Sequence, residues 1–375
     1  MRQQLTIRSR TATSAFVCIL LACCTALQST SKRPSPPTGH LTPGRDMTTA
    51  RGNHTATILP DFKVFIAGGK NERGIVLAST EVYDPTTETF SSGTKMSVPR
   101  EGHAAASLAD GKILIAGGAT RGGGPLSSCE VYDYETESFT TRGEMHARRV
   151  HPVAVVLRDG RVLLIGGEDG GQPVASAETY DLLTGKWKLV GKMSAARAGH
   201  TATMLADGRV LVVGGIGGQH TVLTSAEIFD PQANQFSHAG DLRQARSTQT
   251  AVLLPDGKVL IAGGTADAKG ITPLAGTEVY DPATHSFTVS GTMTEARMKL
   301  PDAALLLDGR VLIVGGAQSA DIYDSKTASF QPVVGNLDVP RYYPAVIQLM
   351  DGSSRIFGGY NASSSSTAKS WIYRP

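Results

Sequence analysis

The sequence predicts an all-β, seven-bladed β-propeller closed by its own N-terminal strand. Three observations predict it. A Gly-Gly pair recurs seven times, at 68–69, 117–118, 166–167, 214–215, 263–264, 315–316 and 358–359. Each pair closes a short aliphatic run, such as 112–116 or 209–213. The residues that end each unit, Met47, Met96, Met145, Met193, Leu242, Met293 and Leu337, are spaced 44–51 residues apart. A period near fifty with four short strands per unit is the pattern of a propeller blade.

Each element follows in order. Six of the seven aliphatic runs are preceded by Asp-Gly: Asp110-Gly111, Asp159-Gly160, Asp207-Gly208, Asp256-Gly257, Asp308-Gly309 and Asp351-Gly352. Blade one has Asp61-Phe62 there. Asp-Gly between apolar stretches marks a two-residue hairpin joining strands one and two. After Gly-Gly comes a loop of variable length, then a third strand of the form acid–x–aromatic–Asp, as in Glu81-Val-Tyr83-Asp84. A turn, often Asp-Pro, leads to a fourth strand carrying Phe90, Phe139, Trp187, Phe236, Phe287 or Phe330. The seventh unit stops at Trp371-Ile-Tyr-Arg-Pro375, after its third strand. Residues 41–47 match the fourth-strand stretch 287–293, so the N-terminal strand is expected to complete the last blade. Closure of this kind removes exposed sheet edges.

This order of motifs resembles the kelch family, and within it the galactose-oxidase-like subgroup, over residues 41–375. The resemblance implies that Gly-Gly ends the second strand and that the downstream aromatic packs between blades. It also implies that the arginine four residues after each Met or Leu opens the innermost strand near the channel mouth, where some relatives bind acidic partners. Here those arginines are Arg51, Arg100, Arg149, Arg197, Arg246, Arg297 and Arg341. With four strands per blade, the arginines and the variable loops fall on one face, and the Asp-Gly and Asp-Pro turns on the other. Varied loops on a fixed scaffold are where binding usually resides.

Two readings of the arginines stand side by side. As a basic ring they would grip an anion, since guanidinium forks match carboxylate geometry. As architecture, six of them would pair with the acids Glu81, Glu130, Glu178, Glu227, Glu278 and Asp321. Trp371 replaces the seventh acid, which makes Arg341 the first candidate for a free ligand-binding arginine, with Tyr343 beside it.

Three residues beyond the arginine come His54, His103 and His200, with Pro152, Gln249, Leu300 and Pro344 in the other blades and His151 one place early. Their uneven spread argues for inner-strand histidines that hydrogen-bond the backbone rather than metal ligands. The galactose-oxidase resemblance implies Arg-x-Tyr-His copper ligation in the last repeat. Here that stretch is Arg341-Tyr342-Tyr343-Pro344, with proline for the histidine, and Cys129 falls on a third strand with no counterpart to the family's crosslinked cysteine. Copper chemistry is disfavoured, and no catalytic residue, metal site or cofactor is assigned. Cys129 reads as a small buried apolar side chain.

The first residues read as an address. Arg2, Arg8 and Arg10 precede an apolar run, 15–22, too short to span a bilayer. It ends in Leu20-Leu21-Ala22-Cys23, which resembles a bacterial lipobox and implies a signal peptide over 1–23 with lipidation at Cys23. The alternative is ordinary secretory cleavage near Ala22 or Ala26. Residues 24–40 are polar and proline-rich and read as a tether. The sequons at Asn53 and Asn361 would matter only in a eukaryotic secretory pathway, which the lipobox resemblance argues against. The net charge is +3 and the basic residues are scattered, so nucleic acid is not an expected partner. The membrane is met through the lipid anchor alone, and the chain is expected to be a monomer. The expected function is a non-enzymatic module at the cell envelope that binds a protein or glycan, anionic ligands included. The alternative is an envelope enzyme acting on a sugar or small acid at the channel mouth.

Overall fold

The computed structural model describes residues 38–122, 124–299 and 303–375. The expected signal peptide and lipidation site at Cys23, residues 24–37 of the expected tether and Leu300 lie outside the described residues. Thr38–Pro375 is one compact unit of seven four-stranded antiparallel sheets. Blades one to six occupy residues 55–92, 104–142, 153–189, 201–241, 250–297 and 304–332. Blade seven takes three strands from 345–374 and its fourth from the start of the chain. His40 pairs with Arg374 and Pro43 with Trp371, which closes the ring. Thr38–His40, expected in the tether, therefore belong to the propeller.

The second strand of each blade explains the aliphatic runs. Val64–Ala67, Ile113–Ala116, Val162–Ile165, Val210–Val213, Val259–Ala262, Val311–Val314 and Ser354–Phe357 are buried at every position. Successive side chains of a strand point to opposite faces. In a blade both faces meet a neighbouring blade, so six of the seven strands are apolar on both; blade seven departs with Ser354 and with Arg355, whose Nε donates to the Tyr83 hydroxyl at 2.9 Å. Val64 and Ile66 pack with Leu349 and Phe357 of blade seven, whereas Phe65 and Ala67 pack with Ile113 and Ile115 of blade two. The core is accordingly divided into apolar clusters, each shared by two adjacent blades. The fourth-strand aromatic sits opposite the third-strand aromatic in register, as in Tyr83–Phe90 with ring centroids 4.8 Å apart. Phe90 also meets Phe357 of blade seven edge-on at 5.8 Å.

The Gly-Gly pairs join the blades. Gly69 donates its N–H to the carbonyl of Arg100 in the linker to the next blade, at 2.9 Å. The second glycine of every pair makes the same bond, ending with Gly359 to Arg51 at 2.8 Å. Gly68 and Gly69 have φ of 61° and 88°. A Cβ on Gly68 would lie 2.4 Å from the Arg100 carbonyl oxygen, so neither the backbone conformation nor the contact tolerates a side chain.

Candidate functional site at the channel mouth

The seven arginines are architectural. Arg51, Arg100, Arg149, Arg197 and Arg297 are 0% exposed, Arg246 1% and Arg341 5%. The Arg51 Nη1 donates to the carbonyls of Gly68 and Ser79, and its Nη2 and Nε to Glu81. Glu81 in turn accepts the backbone N–H groups of Thr48 and Thr49. One ion pair thus ties the inter-blade linker to the end of strand two and to strand three. The same Nη2–carboxylate pair recurs with Glu130, Glu178, Glu227, Glu278 and Asp321 at 2.8–3.0 Å. Arg341 departs from the expectation that it is free. It forms a bidentate pair with Asp338, three residues before it, at 2.6 and 3.0 Å, and its guanidinium lies over the Trp371 ring. Burial alone would raise the Asp338 carboxyl, but hydrogen bonds from Arg341 and Lys369 hold it at about 2. None of the arginines is left to meet a ligand.

The histidines at the next register are also internal. His54, His103 and His200 are buried, and burial holds each neutral with a pKa of about 3. His103 hydrogen-bonds the hydroxyl of Thr55, and the backbone of Arg100 acts on its ring as that of Arg197 does on His200. No group of three metal-ligating side chains occurs among the described residues. Cys129 is buried, and the Trp187 indole N–H donates to its sulfur at 3.2 Å.

The residues that do face the channel stand two places beyond each arginine. These are Asn53, Gly102, His151, Gly199, Thr248, Lys299 and Tyr343, and all seven have φ between 49° and 62°. Left-handed backbone at seven equivalent positions bends each linker over the mouth and joins the positions to one another. Gly102 N–H donates to the Asn53 carbonyl, His151 to Gly102, Thr248 to Gly199 and Tyr343 to Lys299, at 2.7–3.0 Å. Gly102 has a further role. A Cβ there would lie 2.6 Å from the His151 Nε2, so its absence lets the imidazole lean across blade two and reach the Asn53 amide at 2.9 Å. The same imidazole stacks on the Tyr343 ring, with centroids 6.1 Å apart and planes 11° from parallel. Blades seven, one and three are thereby linked across one side of the mouth.

Below this ring lies a cavity of about 520 Å³. Its wall is small and apolar, including Ala56, Ala104, Ala154, Ala202, Ala251 and Ala345. Its rim adds Glu168, Thr265, Lys269 and Lys299. The blade-five loop that carries Lys269 is held by Asp267, whose carboxylate accepts N–H bonds from Ile271 and Thr272. Lys299 lies over the Tyr342 ring at 5.6 Å. Neither lysine has an acidic partner among the described residues, and the lining acid, Glu168, belongs to blade three. Next to the mouth, Glu101 accepts from the Tyr360 hydroxyl at 3.1 Å and pairs with Lys70 at 3.4 Å.

Burial sets the ionisation here. It lowers the His151 pKa, and it raises the Tyr343 hydroxyl to about 12, with Glu168 adding to the rise. Burial, then Glu101, drives Tyr360 upward too. At neutral pH these groups are uncharged hydrogen-bonding partners around two free cations.

Of the ligand-binding candidates the sequence named, only Tyr343 lines this cavity, joined by His54, His103, His151, His200, Gln249 and Pro344, which the sequence had placed at inner-strand positions without a ligand role. Asn53, Thr248, Lys269 and Lys299 were missed. The signal for three of them was available as the position two beyond each arginine, where His151 had already appeared.

The chain matches the KLHDC2/KLHL20/DRC7 Kelch-repeats domain over residues 102–316 and the Kelch motif over residues 50–97. No curated protein matches it. Among solved structures it is similar to a fungal alcohol oxidase of the AA5 family in complex with copper. The TM-score is 0.73 at 17% identity, covering 90% of this chain and 76% of that one. At that identity the likeness concerns the propeller fold.

Proposed function

The chain belongs to the kelch-repeat domain family, whose propellers commonly serve as interaction modules, and we propose that it is an exported, non-enzymatic binding module that takes a carboxylated glycan end into the channel mouth. The observation that carries this is the polar-rimmed cavity of about 520 Å³, with Lys269 and Lys299 at its rim and no acidic partner for either among the described residues. The volume falls in the range of small-ligand sites, roughly 300–1,000 Å³. Asn53, His151, Thr248 and Tyr343 offer hydroxyl-matching donors and acceptors, and the two lysines offer counter-charge to a carboxylate. The anion site expected of the arginines is thus moved to lysines of blades five and six.

The neutral state of His151, Tyr343 and Tyr360 at pH 7 supports recognition over acid–base chemistry, because a general acid or base works best with a pKa near the operating pH. The lipobox at Leu20–Cys23 supports display at the cell envelope. The test is a glycan array bearing neutral and carboxylated sugars, followed by titration calorimetry. Carboxylated sugars should bind, and Lys299→Gln and Lys269→Gln should each weaken binding about tenfold without lowering Tm. Equal binding of the neutral analogue would overturn the carboxylate assignment. Turnover of a bound sugar would favour the envelope-enzyme alternative, and capture of an envelope protein that competes with no sugar would make the ligand a protein.

A further inference from the structure

The face opposite the channel mouth carries the Asp-Gly turns, and three adjacent blades break its pattern. In each blade a residue precedes the turn Asp: Pro60, Ala109, Arg158, Ala206, Pro255, Leu307 and Met350. Leu307 is 70% exposed and Met350 73%. Blade one departs at the next position, where Phe62 replaces glycine with φ of 66° and 58% exposure. Just inside these turns, Leu305 and Ile58 are also exposed.

The turn positions form a ladder around the ring. Pro60 lies against Gly111 of the next blade, Pro255 against Gly309, and Leu307 against Gly352. By the same step around the ring, the Met350 turn of blade seven is followed by the Phe62 turn of blade one. Large apolar side chains therefore run in a crescent across blades six, seven and one. Its charged neighbours are paired locally: Arg310 with Asp308, Lys63 with Asp61, and Arg374 with Glu88.

The chain enters the propeller in the same sector. The third strand of blade seven, Ser370–Arg374, ends on this face, and His40 pairs with Arg374 there. The Tyr373 hydroxyl fixes the chain by donating to the Thr38 carbonyl at 3.2 Å. Residues 24–37 connect this point to Cys23. Fourteen residues therefore separate Thr38 from Cys23 in the sequence.

We propose that the crescent of Phe62, Leu307 and Met350 is a membrane-apposed surface, whose occupant is the phospholipid headgroup region. An anchor at Cys23 would deliver the propeller to the bilayer from blade seven, the middle of the crescent. The apolar side chains then bury in the interface, and the channel mouth faces away, open to its ligand. Because Arg310, Lys63 and Arg374 are neutralised by their own acids, with the exposed Lys326 of blade six as the exception, the contact is mainly apolar and only weakly sensitive to salt. The proposal rests on the lipoprotein reading for its anchor and is independent of the glycan reading.

The test uses the full chain in vesicles of phosphatidylethanolamine and phosphatidylglycerol. A fluorophore on Met350→Cys should be quenched by nitroxide lipids at least fivefold more strongly than one on Ile75→Cys, in a blade-one loop of the other face. Replacing Phe62→Gly, Leu307→Ala and Met350→Ala together installs the residue types of blade two, Gly111 and Ala109, so the ring should fold with unchanged Tm. Mass spectrometry of Cys23 separates the two readings. If Cys23 is unmodified, the unlipidated chain should still co-sediment with vesicles, and the triple variant should bind at least tenfold more weakly at both low and high salt. Equal quenching at the two positions, no sedimentation of the unlipidated chain, or a dimer dissolved by the triple variant would each overturn the assignment.

Discussion

At the scale of single residues, the arginine–acid pair does structural work that its exposure makes plain. Arg149 and Glu178 are both 0% exposed and meet at 2.9 Å. Removing one partner of a buried pair leaves an uncompensated charge and costs roughly 3–5 kcal/mol. Arg149→Ala should therefore lower stability by about that amount in denaturant titration. Arg341→Ala should also lower Tm, because Asp338 loses its bidentate partner and keeps only Lys369, at 3.0 Å; an unchanged Tm would return Arg341 to the list of ligand-binding candidates. The buried histidines make a different prediction, in pH. Each of His54, His103 and His200 has a folded pKa of about 3, below its unfolded value of about 6.5. Between those values the unfolded chain holds more protons, so stability rises with pH across that window. It is complete above about pH 6.5 and is lost as pH falls toward 3. Blade five shows a neutral substitute, since Gln249 occupies the same register and donates to the Val213 carbonyl at 2.8 Å. Replacing the three histidines by glutamine should flatten the fall in Tm between pH 7 and pH 4; an equally steep fall would place the acid sensitivity elsewhere.

At the scale of the element, the Gly-Gly pair is the joint between blades. In Gly166→Ala the new Cβ would lie 2.6 Å from the Arg197 carbonyl oxygen at a φ of 55°. Alanine where φ is positive destabilises by more than about 1 kcal/mol, and the clash adds to it. Chemical denaturation should show that loss, and a neutral result would mean that the blades tolerate separation at this joint. The joints explain why blade count, strand order and closure were legible in the sequence: each is written seven times in short motifs with one backbone demand apiece. The site was less legible for the opposite reason. Asn53, Gly102, His151, Gly199, Thr248, Lys299 and Tyr343 share a backbone conformation but no side-chain chemistry, so the repeat hides them. The repeated arginines drew attention because they are constant, and they are constant because they are internal. Asp338 was missed because it reaches Arg341 from within the linker, where the other blades supply their acid from strand three.

At the scale of the whole molecule, stability is distributed around a closed ring in which each blade packs between two neighbours. The apolar clusters join each blade to the next, and the last junction depends on Leu41, Trp371 and Tyr373 packing with blade six. Leu41 also donates its N–H to the Val334 carbonyl at 2.8 Å. A chain that starts at residue 48 lacks the fourth strand of blade seven and Met47 with it. It would expose the edge of Ser370–Arg374 and uncover Trp371, a large side chain otherwise 2% exposed. Because each blade is buried against two neighbours, opening one junction leaves blades six and seven held on one side only. The shortened chain should lose its single sharp thermal transition and aggregate through the bared edge. Adding back a peptide of residues 38–47 should restore the transition, because the strand makes its contacts through pairing and packing. A shortened chain that melts as sharply as the full one would mean that three strands suffice for the seventh blade and that the ring is held by its Gly-Gly joints alone.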